Sequence, residues 1–194
     1  MAKYEPTDTF TFTSDSVTLS QAAAAALLAF ASRDATRPKL GVGISDGSLC
    51  ATDGHALLRF DAPQCEPSVA LKLDRKVWSA EYVSTRLKVA KAEKTDVRLD
   101  FEAFKDMQFQ PVGQVVPEPG FGVLVKGAPS DKGIRKMKPT GVNPEYLARM
   151  VSVTKACGTK GVQLTALHGE LDPIMFTICG PTVNATVVIM PMRI

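Results

Sequence analysis

One short motif, Thr52-Asp53-Gly54-His55, carries side chains that could transfer protons. A carboxylate and an imidazole in one segment are groups that general acid–base catalysis uses. As a base, however, His55 needs an acid or nucleophile that the fold places beside it, and the chain has no phosphate-binding loop, G-x-S-x-G elbow or H-E-x-x-H helix. We therefore expect His55 to stabilise a turn or border a groove, and we predict that the protein is not an enzyme.

The remaining candidate metal ligands are too few and too far apart for a site. The four cysteines are Cys50, Cys65, Cys157 and Cys179, with no C-x-x-C pair, and the only other histidine, His168, is expected in a solvated hairpin. This spacing favours buried thiols over zinc or redox chemistry. We predict no cofactor and no metal.

These residues lie among predicted elements that occur three times in one order, a helix followed by strands. The first helix is the alanine-rich stretch that ends near Ser32, and Thr18 or Ser20 can cap it. The second is predicted after a cap at Asp74, with Val77, Trp78 and Tyr82 on its core face. Alternation predicts strands at 40–44 and 97–101, and two further strands, 49–51 and 56–60, are predicted on either side of segment 52–55.

The third unit has the strongest helix start, with Asn143 as cap and Pro144 at the first helical position. Apolar spacing predicts its core face, and strands are predicted at 162–167, 174–178 and 183–190. The residues on that predicted core face are Leu147, Met150, Val151 and Thr154.

Composition limits the class of protein. The chain has 194 residues, 45% of them hydrophobic and 22% charged, which is enough for a core without disulfides. The longest apolar run, 22–31, is half the length of a membrane span. The first residues lack the pattern of a secretory signal, so we expect a cytoplasmic protein with no membrane partner. The expected fold class is α+β.

The proline- and glycine-containing stretch 111–129 is typical of an irregular connector. We therefore predict one domain over 1–126, made of half-units 1–64 and 65–126, and a C-terminal half-unit over 127–194.

Positive charge is concentrated near the three predicted helices, although the net charge is only +3. Helices that shared one face would make that face cationic and suited to phosphates, while solvated lysines that complement helix dipoles are the alternative. No base-reading motif is present, so contact with DNA should be sequence-independent and salt-dependent. The residues expected to face DNA are Arg33, Arg37, Arg75, Lys76, Arg86, Lys88, Lys91, Arg149 and Lys155.

Two segments far apart carry a resemblance to a known family: Cys50-Ala-Thr-Asp-Gly-His-Ala-Leu-Leu58 and the terminal Val187-Val-Ile-Met-Pro-Met-Arg-Ile194. In this order they resemble the bacterial DNA sliding clamp, the beta subunit of DNA polymerase III. Segments 69–78, 118–125 and 143–147 are similar to its middle domain, a domain linker and its last helix.

The resemblance implies the DNA-clamp fold, in which half-units of a helix and antiparallel strands form a ring with the helices around the hole. Such a ring encircles duplex DNA and acts as a polymerase processivity factor, so the resemblance also implies association with the nucleoid during replication. It also implies a hydrophobic groove for short peptides of DNA polymerase and the clamp loader. Its residues here would be Thr52, Gly54, His55, Leu57, Pro119, Val188, Ile189, Met190, Pro191, Met192 and Arg193. Flexible thioethers suit varied partners, although core filling is the alternative for Met190 and Met192.

The chain departs from the family in two respects. Only three half-units are recognisable, so twelve helices around a ring require a tetramer, and a fourth, unrecognised half-unit would give a trimer. Ala56 stands where the family usually has a basic residue. A second hypothesis is a clamp-like decoy that cannot close and sequesters clamp-binding peptides.

Overall fold

The computed structural model describes residues 10–34, 41–45, 48–61, 77–103, 141–166, 173–181 and 183–192. This part of the chain is a mixed structure with three α-helices and two antiparallel sheets. The helices are α1 (Gln21–Phe30), α2 (Ala80–Glu93) and α3 (Pro144–Cys157), and Phe101–Ala103 is a 3-10 turn. The strands are β1 (Thr11–Phe12), β2 (Ser16–Leu19), β3 (Val42–Ser45), β4 (Ser48–Thr52), β5 (Ala56–Asp61), β6 (Val77–Trp78), β7 (Val97–Asp100), β8 (Gln163–Ala166), β9 (Ile174–Ile178) and β10 (Asn184–Ile189).

Helices α1 and α2 are linked through the strands that flank them. Strand β2, which leads into α1, pairs with β7, which follows α2. Strand β6, which leads into α2, pairs with β3, which follows α1. Both pairings are antiparallel, so each helix-and-strand segment makes the same kind of contact with the other.

A seven-stranded sheet joins the first and third units, in the order β6-β3-β4-β5-β10-β9-β8. Its central pairing is β5 with β10, from Ala56 opposite Ile189 to Asp61 opposite Asn184. The division into 1–126 and 127–194 stays a prediction, and this sheet contains strands from both ranges.

All three helices belong to one core with the sheet. Residues at alternate positions of β5 and β10, such as Leu58, Phe60 and Val187, are buried in that core. Helix α1 lies in contact with both α2 and α3, and none of its residues is exposed. Its sequence makes this possible because every residue after Gln21 is alanine, leucine or phenylalanine. No helix in the described ranges is long and apolar enough to cross a membrane.

The start of α2 differs from the prediction. Val77 and Trp78 form strand β6, and the helix begins after Ser79, whose side-chain oxygen accepts a hydrogen bond from the Tyr82 N–H. The predicted cap, Asp74, lies outside the described residues. Trp78 is held in the strand because its indole N–H donates to the Asp100 carbonyl at 2.8 Å. The contact with Asp100 thus decides that Trp78 belongs to a strand, although its apolar spacing predicted a helix.

Helix α3 starts as predicted, but of the predicted core face only Met150 is buried. Asn143 accepts the Glu145 N–H and Pro144 is the first helical residue. Leu147 and Val151 are exposed, by 40% and 55%, whereas the buried residues of the helix are Met150, Val153, Ala156 and Cys157. The small side chains of Ala156 and Cys157 allow α3 to approach α1 and the sheet closely. This packing decides which face of the helix is buried.

Candidate partner-binding site

The turn between β4 and β5 is fixed by its own polar side chains. The Thr52 hydroxyl donates to the Ala56 carbonyl at 2.7 Å and accepts the Gly54 N–H at 3.0 Å. One oxygen of the Asp53 carboxylate accepts the N–H groups of His55 and Ala56, at 2.9 and 3.0 Å. Gly54 has a φ of 92°, which a residue with a side chain adopts only under strain. Local hydrogen bonding therefore presents His55 at an exposed corner.

Helix α3 contacts this turn through Arg149 and Tyr146. The Arg149 guanidinium donates to the second Asp53 oxygen at 2.5 Å, and the two side chains are only 27% and 16% exposed. The same guanidinium lies 4.5 Å from the centre of the Tyr146 ring, which is stacked against the His55 ring at 6.5 Å between centroids. A chain of contacts, Asp53 to Arg149 to Tyr146 to His55, thus ties the helix to the turn.

The protonation of Asp53 reflects these contacts. Burial by itself would raise the pKa of this carboxyl. The hydrogen bond from Arg149, the N–H groups of His55 and Ala56, and the positive charge of Arg149 together outweigh burial and hold the pKa below its ordinary value. Asp53 is therefore ionised and fully engaged at neutral pH, which leaves it unsuited to act as a proton donor or acceptor beside His55.

The C-terminal tail meets the turn directly. The Met190 N–H donates to the His55 carbonyl at 2.8 Å, and the Met192 N–H donates to the Gly141 carbonyl at 2.8 Å. Met190 and Pro191 are half-buried and Met192 is 51% exposed. We use the name turn–tail site for four parts together: the turn 52–55, the tail residues 190–192, Tyr146 and Arg149.

A second apolar cluster lies beside the turn–tail site, on the sheet face opposite the helices. It contains Cys50, Leu57 and Val188, all buried, with Met175 packed against them. Leu57 is opposite Val188, and Val188 is opposite Met175, so these side chains form a row across β5, β10 and β9. We name this row the outer cluster.

The predicted groove residues are thus brought together in part. Gly54 and His55 are exposed at the corner, and Met190, Pro191 and Met192 lie next to them. The remaining described members, Thr52, Leu57, Val188 and Ile189, are buried. Ile189 belongs to the helix-side core because its position in β10 alternates with Val188, so it supports the site without lining it. Pro119 and Arg193 lie outside the described residues.

Sequence reasoning did not assign Tyr146 or Arg149 to this site. Arg149 was expected to face DNA, but its charge is paired with Asp53 inside the chain. The helix start Asn143-Pro-Glu-Tyr-Leu147 was the one sequence feature that pointed to Tyr146. It places Tyr146 in the first turn of α3, where the side chain contacts the segment that packs against that end of the helix.

The other predicted DNA-facing residues divide into three sets. Arg33, Lys88, Lys91 and Lys155 are exposed. Arg86 is partly buried, donates to the Arg98 carbonyl and pairs with Asp100 at 3.4 Å, so it stabilises α2 on β7. Arg37, Arg75 and Lys76 lie outside the described residues. Helix α1 itself carries no charge, so any cationic helix face would consist of separate lysines on α2 and α3.

Within the described ranges there is no group of three or more histidine, cysteine, aspartate or glutamate side chains that could hold a metal ion. A comparison of the sequence with models of known families and with curated proteins finds no match to either. The family resemblance therefore remains a hypothesis, and the proposed function depends on the geometry of the turn–tail site.

Proposed function

We propose that the protein is a ring-forming DNA polymerase processivity factor that binds partner peptides at the turn–tail site. The observation that supports this most directly is the hydrogen bond between Met190 and His55. It joins the two segments on which the resemblance to sliding clamps rests, although 134 residues lie between His55 and Met190 in the sequence.

The chemistry of the turn–tail site fits short peptides. Met192 is exposed and Met190 and Pro191 are half-exposed. The outer cluster supplies buried apolar side chains on β5 and β10, the strands that adjoin the turn and the tail. Methionine side chains repack around different apolar partners at low cost. His55 and the backbone of the turn offer polar groups at the rim, so a peptide with apolar anchors and a few hydrogen-bonding groups is the expected ligand.

The proposed DNA contact is electrostatic. Lys88, Lys91 and Lys155 are exposed on the helices, and Arg33 follows α1. Separate cations without base-reading side chains bind phosphates loosely, and such contacts let a protein slide. In a closed ring, enclosure of the duplex would replace affinity, so weak contacts suit the proposed role.

Retention on DNA tests the proposal. We expect the protein, loaded by a bacterial clamp loader, to remain on nicked circular plasmid through a gel-filtration column and to be lost after the plasmid is cut once. Equal loss from circular and linear DNA would contradict a ring. If the protein still bound polymerase in that case, the decoy hypothesis would replace it.

Partner binding is tested separately with Met192→Glu. A carboxylate among apolar anchors should weaken binding of a purified bacterial replicative polymerase by at least about tenfold, because one charged group buried without a partner costs more than 1.4 kcal/mol. The matched control is Val89→Glu, at a residue on α2 that is 42% exposed. Equal binding by wild type, control and M192E would exclude the turn–tail site.

A further inference from the structure

The backbone of the turn 52–55 and the imidazole of His55 are fixed by different contacts. Hydrogen bonds within the turn, made by the Thr52 hydroxyl and the Asp53 carboxylate, set the backbone. None of these bonds involves the imidazole. The contact that the structure gives the His55 ring is with the Tyr146 ring of α3, at 6.5 Å between centroids. The direction of the His55 side chain therefore depends on where Tyr146 lies.

The Tyr146 ring is held in turn by Arg149. The two residues are three positions apart on α3, so their side chains lie on the same face of the helix. The Arg149 guanidinium lies 4.5 Å from the centre of the ring, a distance at which the π electrons attract a cation. Tyr146 packs against the core with part of its side chain exposed, so this contact adds to what fixes the ring.

The same guanidinium connects α3 to the turn. It donates to one oxygen of Asp53, whose other oxygen accepts the N–H groups of His55 and Ala56. Both charged side chains are partly buried, where salt screens an ion pair less than at the surface. The tail is held to the turn because the Met190 N–H donates to the His55 carbonyl. The parts of the turn–tail site are thus connected through one side chain, that of Arg149.

We propose that Arg149 is a positioning residue for the partner peptide: it fixes the His55 ring and the turn in the arrangement that the peptide binds, without itself contacting the peptide. This inference rests on the proposed function. The charge of Arg149 is used by Asp53 and its planar group lies against Tyr146. Its effect on affinity comes from preorganisation, because a site that is already in its bound arrangement loses less conformational entropy when the ligand binds.

The first test compares binding of a purified bacterial replicative polymerase by wild type and Arg149→Met, which keeps an unbranched side chain without a charge. We expect R149M to bind at least about fivefold more weakly, since the turn and the His55 ring lose their fixed positions. Arg149→Lys, which can still pair with Asp53, should bind with an affinity between the two. The matched control, Arg98→Met, removes ion pairs on β7 and should bind as wild type does. Unchanged binding by R149M would overturn the inference.

A double-mutant cycle separates positioning from direct contact. If Arg149 acts through Asp53 and Tyr146, adding R149M to Asp53→Asn should weaken binding no further than R149M does alone. Losses that multiply would show that Arg149 binds the peptide independently of Asp53, and would overturn the inference.

The proton NMR signal of the His55 ring gives a readout that a general loss of stability would not move. The chain has two histidines, and the His55 signal is the one that is lost in His55→Gln. An aromatic neighbour shifts such a signal, so we expect it to move in R149M and to stay in place in R98M. Weaker binding by R149M without this shift would overturn the inference.

The conservative variant keeps the test decisive if circular dichroism shows that R149M does not fold. Lysine retains the positive charge beside Asp53 but lacks the planar group that lies against Tyr146. R149K should then bind more weakly than wild type and show a shifted His55 signal. Wild-type affinity together with a wild-type signal in R149K would overturn the inference.

Failure of this inference is distinguishable from failure of the proposed function. Weaker binding by M192E together with full binding by R149M would leave the turn–tail site as the binding site and remove the positioning role of Arg149. Equal binding by wild type, M192E and R149M, or no binding of the polymerase by wild type, would remove both.

Discussion

The two helices that flank α1 are held in different ways. Helix α2 is tied to β7 by Arg86, which donates to the Arg98 carbonyl and pairs with Asp100 at 3.4 Å. The ion pairs of Arg98 beside it, to Asp15 and Asp100, lie at the surface. Helix α3 is held by partly buried contacts at both ends, Arg149 with Asp53 near its start and Cys157 against Gly180 at its end. Charged pairs stabilise more where water is excluded. We conclude that α3 and the turn–tail site are built as one unit, whereas the Arg98 ion pairs beside α2 are a surface feature.

The closest packing in the α3 unit predicts the largest effect. A Cβ on Gly180 would stand 1.8 Å from the carbonyl oxygen of Cys157, so Gly180→Ala must separate α3 from the end of β9. We expect a loss of about 3 kcal/mol in the free energy of unfolding, measured by urea denaturation. The control Gly161→Ala, whose nearest neighbour is 4.0 Å away, should change it little. Equal effects of the two variants would show that the end of α3 is not tightly packed.

The buried ion pair at the start of α3 predicts the next largest effect. Asp53→Asn keeps the shape but removes the charge that Arg149 contacts, so we expect a loss of about 2 kcal/mol in the free energy of unfolding at pH 7. The control is Asp61→Asn, because burial raises the pKa of Asp61, only partly offset by Arg59. Removing that charge should cost nothing at neutral pH.

The contribution of Asp53 to the free energy of unfolding depends on pH in a direction that its pKa predicts. The pKa of Asp53 is lower in the folded than in the unfolded chain, where it is near 3.8. Its stabilisation is therefore complete above the unfolded pKa and is lost as the pH falls through the folded pKa. The difference between wild type and D53N should shrink below about pH 4. A constant difference down to pH 2 would contradict the ion pair.

The exposed ion pairs of Arg98 on β7, beside α2, predict a small effect. Arg98→Gln removes contacts to Asp15 and Asp100 at 2.9 and 2.8 Å, but the Arg98 side chain is 53% exposed. We expect the urea midpoint to stay close to that of wild type, and any difference to vanish in 1 M salt because ions screen exposed charges. A loss as large as that of D53N would remove the contrast between the two helices.

Thiol reactivity probes the end of α3 without altering stability. Burial, together with Cys179 and Asp61 nearby, raises the pKa of the Cys157 thiol to about 11, whereas Cys179 is exposed. At pH 8 about one Cys157 in a thousand is a thiolate, so Cys179 should react with Ellman's reagent much faster. Cys179→Ser should remove one fast equivalent and Cys157→Ser none. Rapid reaction of Cys157 would indicate that this helix end opens.

The amino-acid sequence by itself determined the local features. Asn143 and Pro144 start α3, the cap of α1 is narrowed to Thr18 or Ser20, and the alternation in β7 places that strand, because each signal depends on neighbours within a few residues. Segment 52–55 was also readable as a turn, since Thr52 and Asp53 hydrogen-bond to their own backbone.

Only the tertiary structure decided which surfaces meet. The pairing of β5 with β10, the rotation that buries Val153 and exposes Val151, and the contact of Arg149 with Asp53 join residues tens of positions apart. Nothing local distinguishes these choices. An apolar strand can pair along either edge, and a helix with apolar residues on two faces can bury either one, so the partner that packs most closely determines the outcome.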